Sequence, residues 1–240
     1  MAGDFELERG VQFGSWIRAE LHEGCVVETE GWAPERVTRV ANRLQATRPT
    51  GERLKVDVLW VDPVIAFTFP GDYVYFGRRM LERCPDDETA AFVIAHEIAH
   101  HDLGHLTLFP HWMGRAARRA GGQLLVFAME AIERRLYGPE RECQADAYAI
   151  DLCIRAGYDL DRCLRWFPIM EQVALDLGDR DIVYGPDAQS EEELSPNASR
   201  LTKVRIWAWQ RTRGYLPLQD RLAALRHHVA AQAGMGARPA

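Results

Sequence analysis

The chain has 240 residues, of which 47% are hydrophobic, 27% charged and 10% aromatic, which is typical of a folded globular protein. This excludes the disordered, collagen-like and low-complexity classes, and the length suffices for one large domain with a sizeable apolar core. Because 29 Lys and Arg stand against 35 Asp and Glu, the formal net charge of −6 gives no electrostatic reason to expect nucleic acid as a partner.

The cysteines and the N-terminal residues favour a cytoplasmic protein. Five cysteines without a CxxC pair indicate reduced thiols, not a disulfide framework or a zinc ribbon. The first ten residues, MAGDFELERG, are acidic and lack the apolar core of a secretory signal. The longest apolar run in the middle of the chain, Leu124–Met129, is too short to cross a bilayer. We therefore expect no transmembrane segment.

The N-terminal half predicts one helix followed by a small sheet. Apolar residues with helical spacing follow Trp32, and the sequence Pro49-Thr50-Gly51 ends that pattern. From Leu54 to Phe76 the sequence alternates and is rich in β-branched and aromatic residues, with prolines between the runs. We expect three short strands over 54–58, 64–69 and 73–76, the last two of which form a hairpin.

The rest of the chain predicts helices. Acidic residues at 86–88 suit the first turn of a helix that runs from Ala90 to about Leu103 and closes near Gly104. Further helical patterns cover 112–136, 140–156, 159–177 and 218–229. For the domains we expect an N-terminal extension over 1–31, a folded domain over 32–231 and a disordered tail over 232–240.

The most informative motif is His96-Glu97-Ile98-Ala99-His100, an HExxH sequence inside the helix predicted over 90–103. Residues four apart lie on one face of a helix, so both imidazoles can bind one metal ion while Glu97 stays beside them. Imidazole suits Zn²⁺, and a catalytic zinc lowers the pKa of its bound water to about 7, so that Glu97 can take the proton. The motif therefore predicts a hydrolytic zinc site.

The alternative is that these histidines face solvent or form an ordinary pair in the core. The surrounding helix is apolar nearly all round, which indicates that it is buried. Two histidines and a glutamate in a buried helix need partners, because an uncompensated carboxylate is costly in the interior. A metal with its bound water satisfies all three side chains, so the sequence favours the metal site.

Two histidines leave the zinc coordination incomplete, and a third protein ligand must come from elsewhere. The metzincin extension HExxHxxGxxH is excluded, because positions 103 and 106 carry neither the Gly nor the His that it requires. At about 100° per residue, His101 and His105 project away from the face that carries His96 and His100. We interpret them as polar residues of the outer face or the helix end.

Glu142 is the better candidate for the third ligand. It is four residues from Asp146 on the helix predicted over 140–156, so the two carboxylates share a face. Glu142 can bind zinc, and Asp146 can accept the free N–H of a liganding histidine and so fix its tautomer. The alternative for this segment alone is an exposed acidic face.

The segment from Val37 to Asp151 resembles the HtpX-like and CAAX-prenyl-protease-like zinc metallopeptidases, which are gluzincins. In that family an A-F-x-x-P-G-G-like turn, HExxH, another histidine five residues on and E-x-x-A-D follow in this order. The matching residues here are Ala66–Asp72, His96–His100, His105 and Glu142–Asp146. The resemblance implies a zincin-like α+β domain, mostly helical with a small mixed sheet, that holds one Zn²⁺ per chain.

The chain departs from the family downstream of these motifs. An H-P-x-x-x-x-R-like segment has two partial counterparts, Ser195-Pro196…Arg200 and Leu216-Pro217…Arg221, and neither contains the histidine. Arg200 and Arg221 are the candidates for contacting the substrate or the transition state. Without that histidine we expect three protein ligands and an open water position, with the acidic loop Gly185–Asn197 as the candidate lid.

We therefore expect a zinc-dependent endopeptidase with His96, His100 and Glu142 as ligands, Asp146 as their outer partner and Glu97 as the general base. The substrate is expected to be an extended or unfolded polypeptide that adds to an edge strand of the sheet. Residues 73–76 are the candidate for that edge.

Two other functions remain open at this stage. The first is a zinc-binding scaffold or chaperone-like module without catalytic activity, which the incomplete downstream segment would favour. The second is a peripheral membrane protein anchored by an amphipathic helix that contains Trp112, Met113 and Leu124–Met129. A helix that covers the core is the favoured interpretation of that stretch, because its apolar part is short.

Overall fold

The computed structural model describes residues 14–19, 21–49, 53–108, 138–176 and 216–236. Within these residues the protein is mostly helical with one small mixed sheet. The four strands are β1 (Val26–Glu28), β2 (Lys55–Trp60), β3 (Ala66–Phe69) and β4 (Tyr73–Gly77). The helices are α1 (Trp32–Gln45), α2 (Arg78–Arg83), α3 (Asp87–Asp102), α4 (Gly138–Arg155), α5 (Leu160–Cys163), α6 (Trp166–Asp176) and α7 (Leu218–Gly236), with a 3₁₀ turn at His105–Leu108 after α3.

The strand order in the sheet is β1-β2-β4-β3. The predicted hairpin is confirmed: β3 and β4 pair antiparallel, and Gly71 and Asp72 in the turn between them adopt φ angles of 108° and 66°. β2 pairs parallel with β4 and antiparallel with β1. The prediction that residues 73–76 form an edge is therefore wrong, because β4 lies between β2 and β3. Its four consecutive buried residues, 74–77, are typical of a strand covered on both faces.

Helix α3 lies at the centre of the fold. Its N-cap is Asp86, whose carboxylate accepts a hydrogen bond from the backbone N–H of Thr89, and Gly104 reverses the chain after it with a φ of 70°. Most of its side chains are buried, and it packs against α1, α4, α5, β3 and β4. The prediction of a buried apolar helix over 90–103 is confirmed.

The segment expected as an N-terminal extension packs against the sheet. Residues 14–19 and 21–24 are helical, and β1 adds the fourth strand. Ile17 and Leu21 are fully buried against an aromatic cluster of the sheet, which consists of Phe67, Phe69 and Tyr75. A Cβ at residue 14 would lie 1.4 Å from the carbonyl oxygen of Pro70, so the chain passes that turn at a distance only glycine allows.

Two predicted helices have other limits. The helix expected over 159–177 is two helices, α5 and α6, and Pro168 in the first turn of α6 accounts for the break because proline cannot continue the preceding helix. Helix α7 continues to Gly236, so residues 232–236 of the expected tail are helical.

The amphipathic stretch over 112–136 and the loop over 185–197 lie outside the described residues. In the part of the chain that the structure describes, every helix is too short or too polar to span a membrane.

Candidate metal centre

The three predicted ligands lie together between α3 and α4. The Nε2 atoms of His96 and His100 are 3.2 Å apart, and carboxylate oxygens of Glu142 lie 3.5 Å and 3.7 Å from them. Donors that bind one tetrahedral zinc at about 2.0–2.1 Å are about 3.3 Å from each other. Two imidazoles and a carboxylate are also a donor set that suits zinc, so these residues fit the metal.

The imidazoles of His96 and His100 have different partners at Nδ1, on the side of each ring away from the other candidate ligands. The Nδ1 atom of His96 lies 2.9 Å from Oδ1 of Asp146, as predicted for a carboxylate behind a liganding histidine. The Nδ1 atom of His100 lies 3.0 Å from Nδ1 of His105. In both rings Nδ1 thus lies within 3.0 Å of an outer partner, and Nε2 faces the cluster.

Arg221 joins the two carboxylates of α4 from helix α7. Its Nε and Nη2 atoms donate to Oδ2 and Oδ1 of Asp146 over 2.8 Å and 2.7 Å, and its Nη1 atom lies 2.9 Å from Oε2 of Glu142. The residue is 2% exposed and its guanidinium lies over the ring of Trp166. This geometry favours support of the ligand helix over the substrate contact expected for Arg221. Arg200, the other candidate, lies outside the described residues.

Charges around the cluster hold the two α4 carboxyls ionised. Burial alone would raise the pKa of Glu142 and of Asp146, but Arg221 and His96 lower both pKa values below their usual range. The same contacts act on His96: burial lowers its pKa, but Asp146 and Glu142 outweigh that effect and raise the pKa. The site therefore presents fixed negative charge to two imidazoles, an arrangement that attracts a cation.

Glu97 behaves differently from the other two carboxyls. It is 6% exposed, and its Oε2 atom has no hydrogen-bond partner among the described residues. Burial raises the pKa of Glu97 to about 7, and the negative charge of Glu142 acts in the same direction, whereas His96 and Arg221 lower it. A carboxyl with a pKa near 7 beside candidate metal ligands can both accept and return a proton.

His101 and His105 lie at the end of α3 and just after it, as one of the two interpretations had it, but neither is on an exposed outer face. His105 is 5% exposed and contacts His100, because the chain reverses at Gly104 and the angular spacing of α3 no longer applies beyond it. His101 hydrogen-bonds the hydroxyl of Thr68 in β3, and burial lowers its pKa to about 4. One further contact was not predicted: Gln144 accepts a hydrogen bond from His105 across 3.2 Å. The predicted helix end at Gly104 was the only sequence signal for this return of the chain.

A known peptidase family matches the part of the chain that contains the candidate metal centre. The family model described as Peptidase family M48 matches residues 28–229, which is most of the chain and includes every residue of the cluster. No curated protein matches the chain.

Proposed function

The chain belongs to peptidase family M48 and is a metallopeptidase, and we propose that it is a zinc-dependent endopeptidase that cleaves extended or unfolded polypeptides. The observation that carries the proposal is the donor cluster His96, His100 and Glu142 with the carboxyl of Glu97 beside it. The domain is proposed to be a zincin-like α+β domain of the gluzincin type. We propose that the domain comprises the predicted range, residues 32–231, together with β1 and the helical residues before it, because β1 pairs with β2.

We assign the ligands to His96, His100 and Glu142, with one Zn²⁺ per chain. A bound Zn²⁺ would polarise the scissile carbonyl and activate the attacking water. Glu97 accepts the proton of that water at Oε2 and donates it to the leaving amine nitrogen, which a pKa near 7 permits in both directions. Asp146 orients His96, and Arg221 holds Asp146 and Glu142 in place.

Three protein ligands and an open water position are proposed for this site. Among the described residues, the group of donors that could hold a metal contains only His96, His100 and Glu142. A closed structural zinc site needs four protein ligands, whereas a catalytic one leaves a position for water or substrate.

The substrate is proposed to bind as an added strand along β3. Within the described residues β3 is an edge strand of the sheet, and it packs against α3, the helix that carries HExxH. Thr68 of β3 hydrogen-bonds His101 of α3 and donates to the carbonyl of Tyr73 over 2.8 Å, which fixes the strand to the helix. An edge strand offers main-chain hydrogen bonds only to an extended chain, which favours unfolded over folded substrates.

A zinc-binding scaffold or chaperone-like module without catalysis is the second candidate, and one experiment separates the two. Zinc content and digestion of casein, an unfolded substrate, are measured for the wild type and for Glu97→Gln, with Glu140→Gln at an exposed position of α4 as the matched control. Glu97→Gln is expected to keep zinc and lose at least about a hundredfold in rate, the scale of general-base contributions.

The control variant is expected to retain both properties. A wild type that binds zinc without cleaving casein would favour the scaffold. An active Glu97→Gln variant would show that another group is the base.

A further inference from the structure

His105 is a buried histidine outside the predicted ligand set. It is the first residue of the 3₁₀ turn that follows Gly104, and its ring lies edge-on to that of His100, with 5.0 Å between the ring centroids. Its Nδ1 atom is 3.0 Å from Nδ1 of His100, and its Nε2 atom is 3.2 Å from Oε1 of Gln144. It therefore bridges the two helices that carry the proposed ligands, α3 and α4.

The positions of the protons along this chain of contacts follow from the metal site. A neutral imidazole carries one N–H, so a His100 ring that binds the metal through Nε2 has its proton on Nδ1. The neighbouring Nδ1 of His105 must then accept that hydrogen bond, which puts the proton of His105 on Nε2. That N–H meets Oε1 of Gln144, an acceptor. Every donor along the chain thus has an acceptor.

We propose that His105 is the positioning residue of His100: a neutral imidazole that accepts the Nδ1–H of His100, fixes its tautomer and ring orientation, and thereby raises the affinity of the site for zinc. The inference rests on the proposed zinc site and deepens it. It gives the two ligands unlike partners, because His96 has the carboxylate of Asp146 and His100 has a neutral ring. Outer partners of liganding histidines commonly contribute tenfold to a hundredfold in metal affinity.

A fourth-ligand role does not fit the geometry. The Nδ1 atom of His105 faces Nδ1 of His100, on the side of that ring away from His96 and Glu142. The described donors that lie close enough together to share a metal do not include His105. His105 can therefore act on the metal only through His100.

The test compares two substitutions of equal shape. Leu and Asn have nearly the same size, but in His105→Asn the side-chain Oδ1 can take the place of the imidazole Nδ1 as acceptor, whereas His105→Leu has none. The dissociation constant for Zn²⁺ is measured by competition with a chromogenic chelator, and the absorption spectrum of the Co²⁺-loaded protein reports the ligand geometry. Thermal unfolding of the metal-free variants checks that both are folded.

His105→Leu is expected to weaken zinc binding about tenfold to a hundredfold and to shift the Co²⁺ spectrum, while His105→Asn stays within about threefold of the wild type. Equal losses in both variants, or no loss in His105→Leu, would overturn the role of His105. His100→Ala serves as the control that removes a ligand. If the wild type itself does not bind zinc, the proposed site is wrong; if the wild type binds zinc and only the His105 variants fail to differ, the site stands without this inference.

Discussion

Arg221 and Asp146 form a two-point ion pair in the interior, with Nε–Oδ2 and Nη2–Oδ1 distances of 2.8 Å and 2.7 Å. The two residues are 75 positions apart in sequence, and each side chain is 2% exposed. A planar guanidinium matches a carboxylate in this geometry, which a lysine cannot reproduce.

Arg221→Met is expected to lower the free energy of unfolding by about 3–5 kcal/mol, because it removes the cation that pairs with the buried carboxylates of Asp146 and Glu142. Urea denaturation of the metal-free protein measures the effect. Arg165→Met is the matched control, since Arg165 binds Asp86 at the surface, where its side chain is 54% exposed, and such pairs contribute at most about 1 kcal/mol. Equal effects of the two substitutions would contradict the supporting role of Arg221.

Glu142→Ala is expected to abolish stoichiometric zinc binding, because the two imidazoles alone form an incomplete site. Asp146→Asn should weaken binding by about tenfold to a hundredfold and no further, since Asp146 acts through His96. Elemental analysis after dialysis measures zinc content, and Glu140→Gln is the control on the same helix. Full zinc occupancy in Glu142→Ala would refute the ligand assignment.

The N-cap of α3 makes the stability of the fold depend on acid pH. Burial opposes ionisation of Asp86, but hydrogen bonds from Thr89 and the nearby Arg165 outweigh it and lower the pKa of Asp86. Because the pKa in the folded state is below that in the unfolded state, the stabilisation is present above the unfolded pKa of about 3.9 and is lost as pH falls through the folded pKa.

Asp86→Ala should therefore cost about 0.5–2 kcal/mol at neutral pH and less at acid pH. Urea denaturation at about pH 7 and about pH 3.5 checks this, with Arg165→Met as the control for the lost ion pair. A penalty that does not change with pH would show that the charge of Asp86 is irrelevant to the cap.

A chain that begins at residue 32 is expected to fold poorly or associate. It lacks β1, Ile17 and Leu21, and so exposes the aromatic cluster of Phe67, Phe69 and Tyr75. Size-exclusion chromatography and binding of a hydrophobic dye compare it with a chain that begins at residue 14. In the longer chain, Leu21→Ala should cost about 2–5 kcal/mol, as other buried leucines do. A monomeric, dye-negative short chain would show that the N-terminal segment is dispensable.

The central elements of the site could be predicted because their signals are local. The sequence shows apolar residues all round α3, the acidic cap before it, and the four-residue spacings of His96 and His100 and of Glu142 and Asp146. The strand order was not predictable in this way, because β2 pairs with β4 and not with β3, the strand that follows it in the sequence. The contact of Arg221 with Asp146 and the return of His105 to His100 likewise depend on how the chain turns between elements.

The ion pairs around the cluster also fix its charge. The carboxylates of Glu142 and Asp146, both held ionised, face one guanidinium, that of Arg221, so with neutral imidazoles these residues carry one net negative charge. Glu97, whose pKa is raised to about 7, supplies a second negative charge when it is deprotonated, and a divalent cation then makes the group electroneutral. Arg221 therefore changes the charge around the three candidate ligands without being one of them. A substitution that removes the charge of Glu142, Asp146 or Arg221 therefore changes the net charge that a bound metal would meet in the interior.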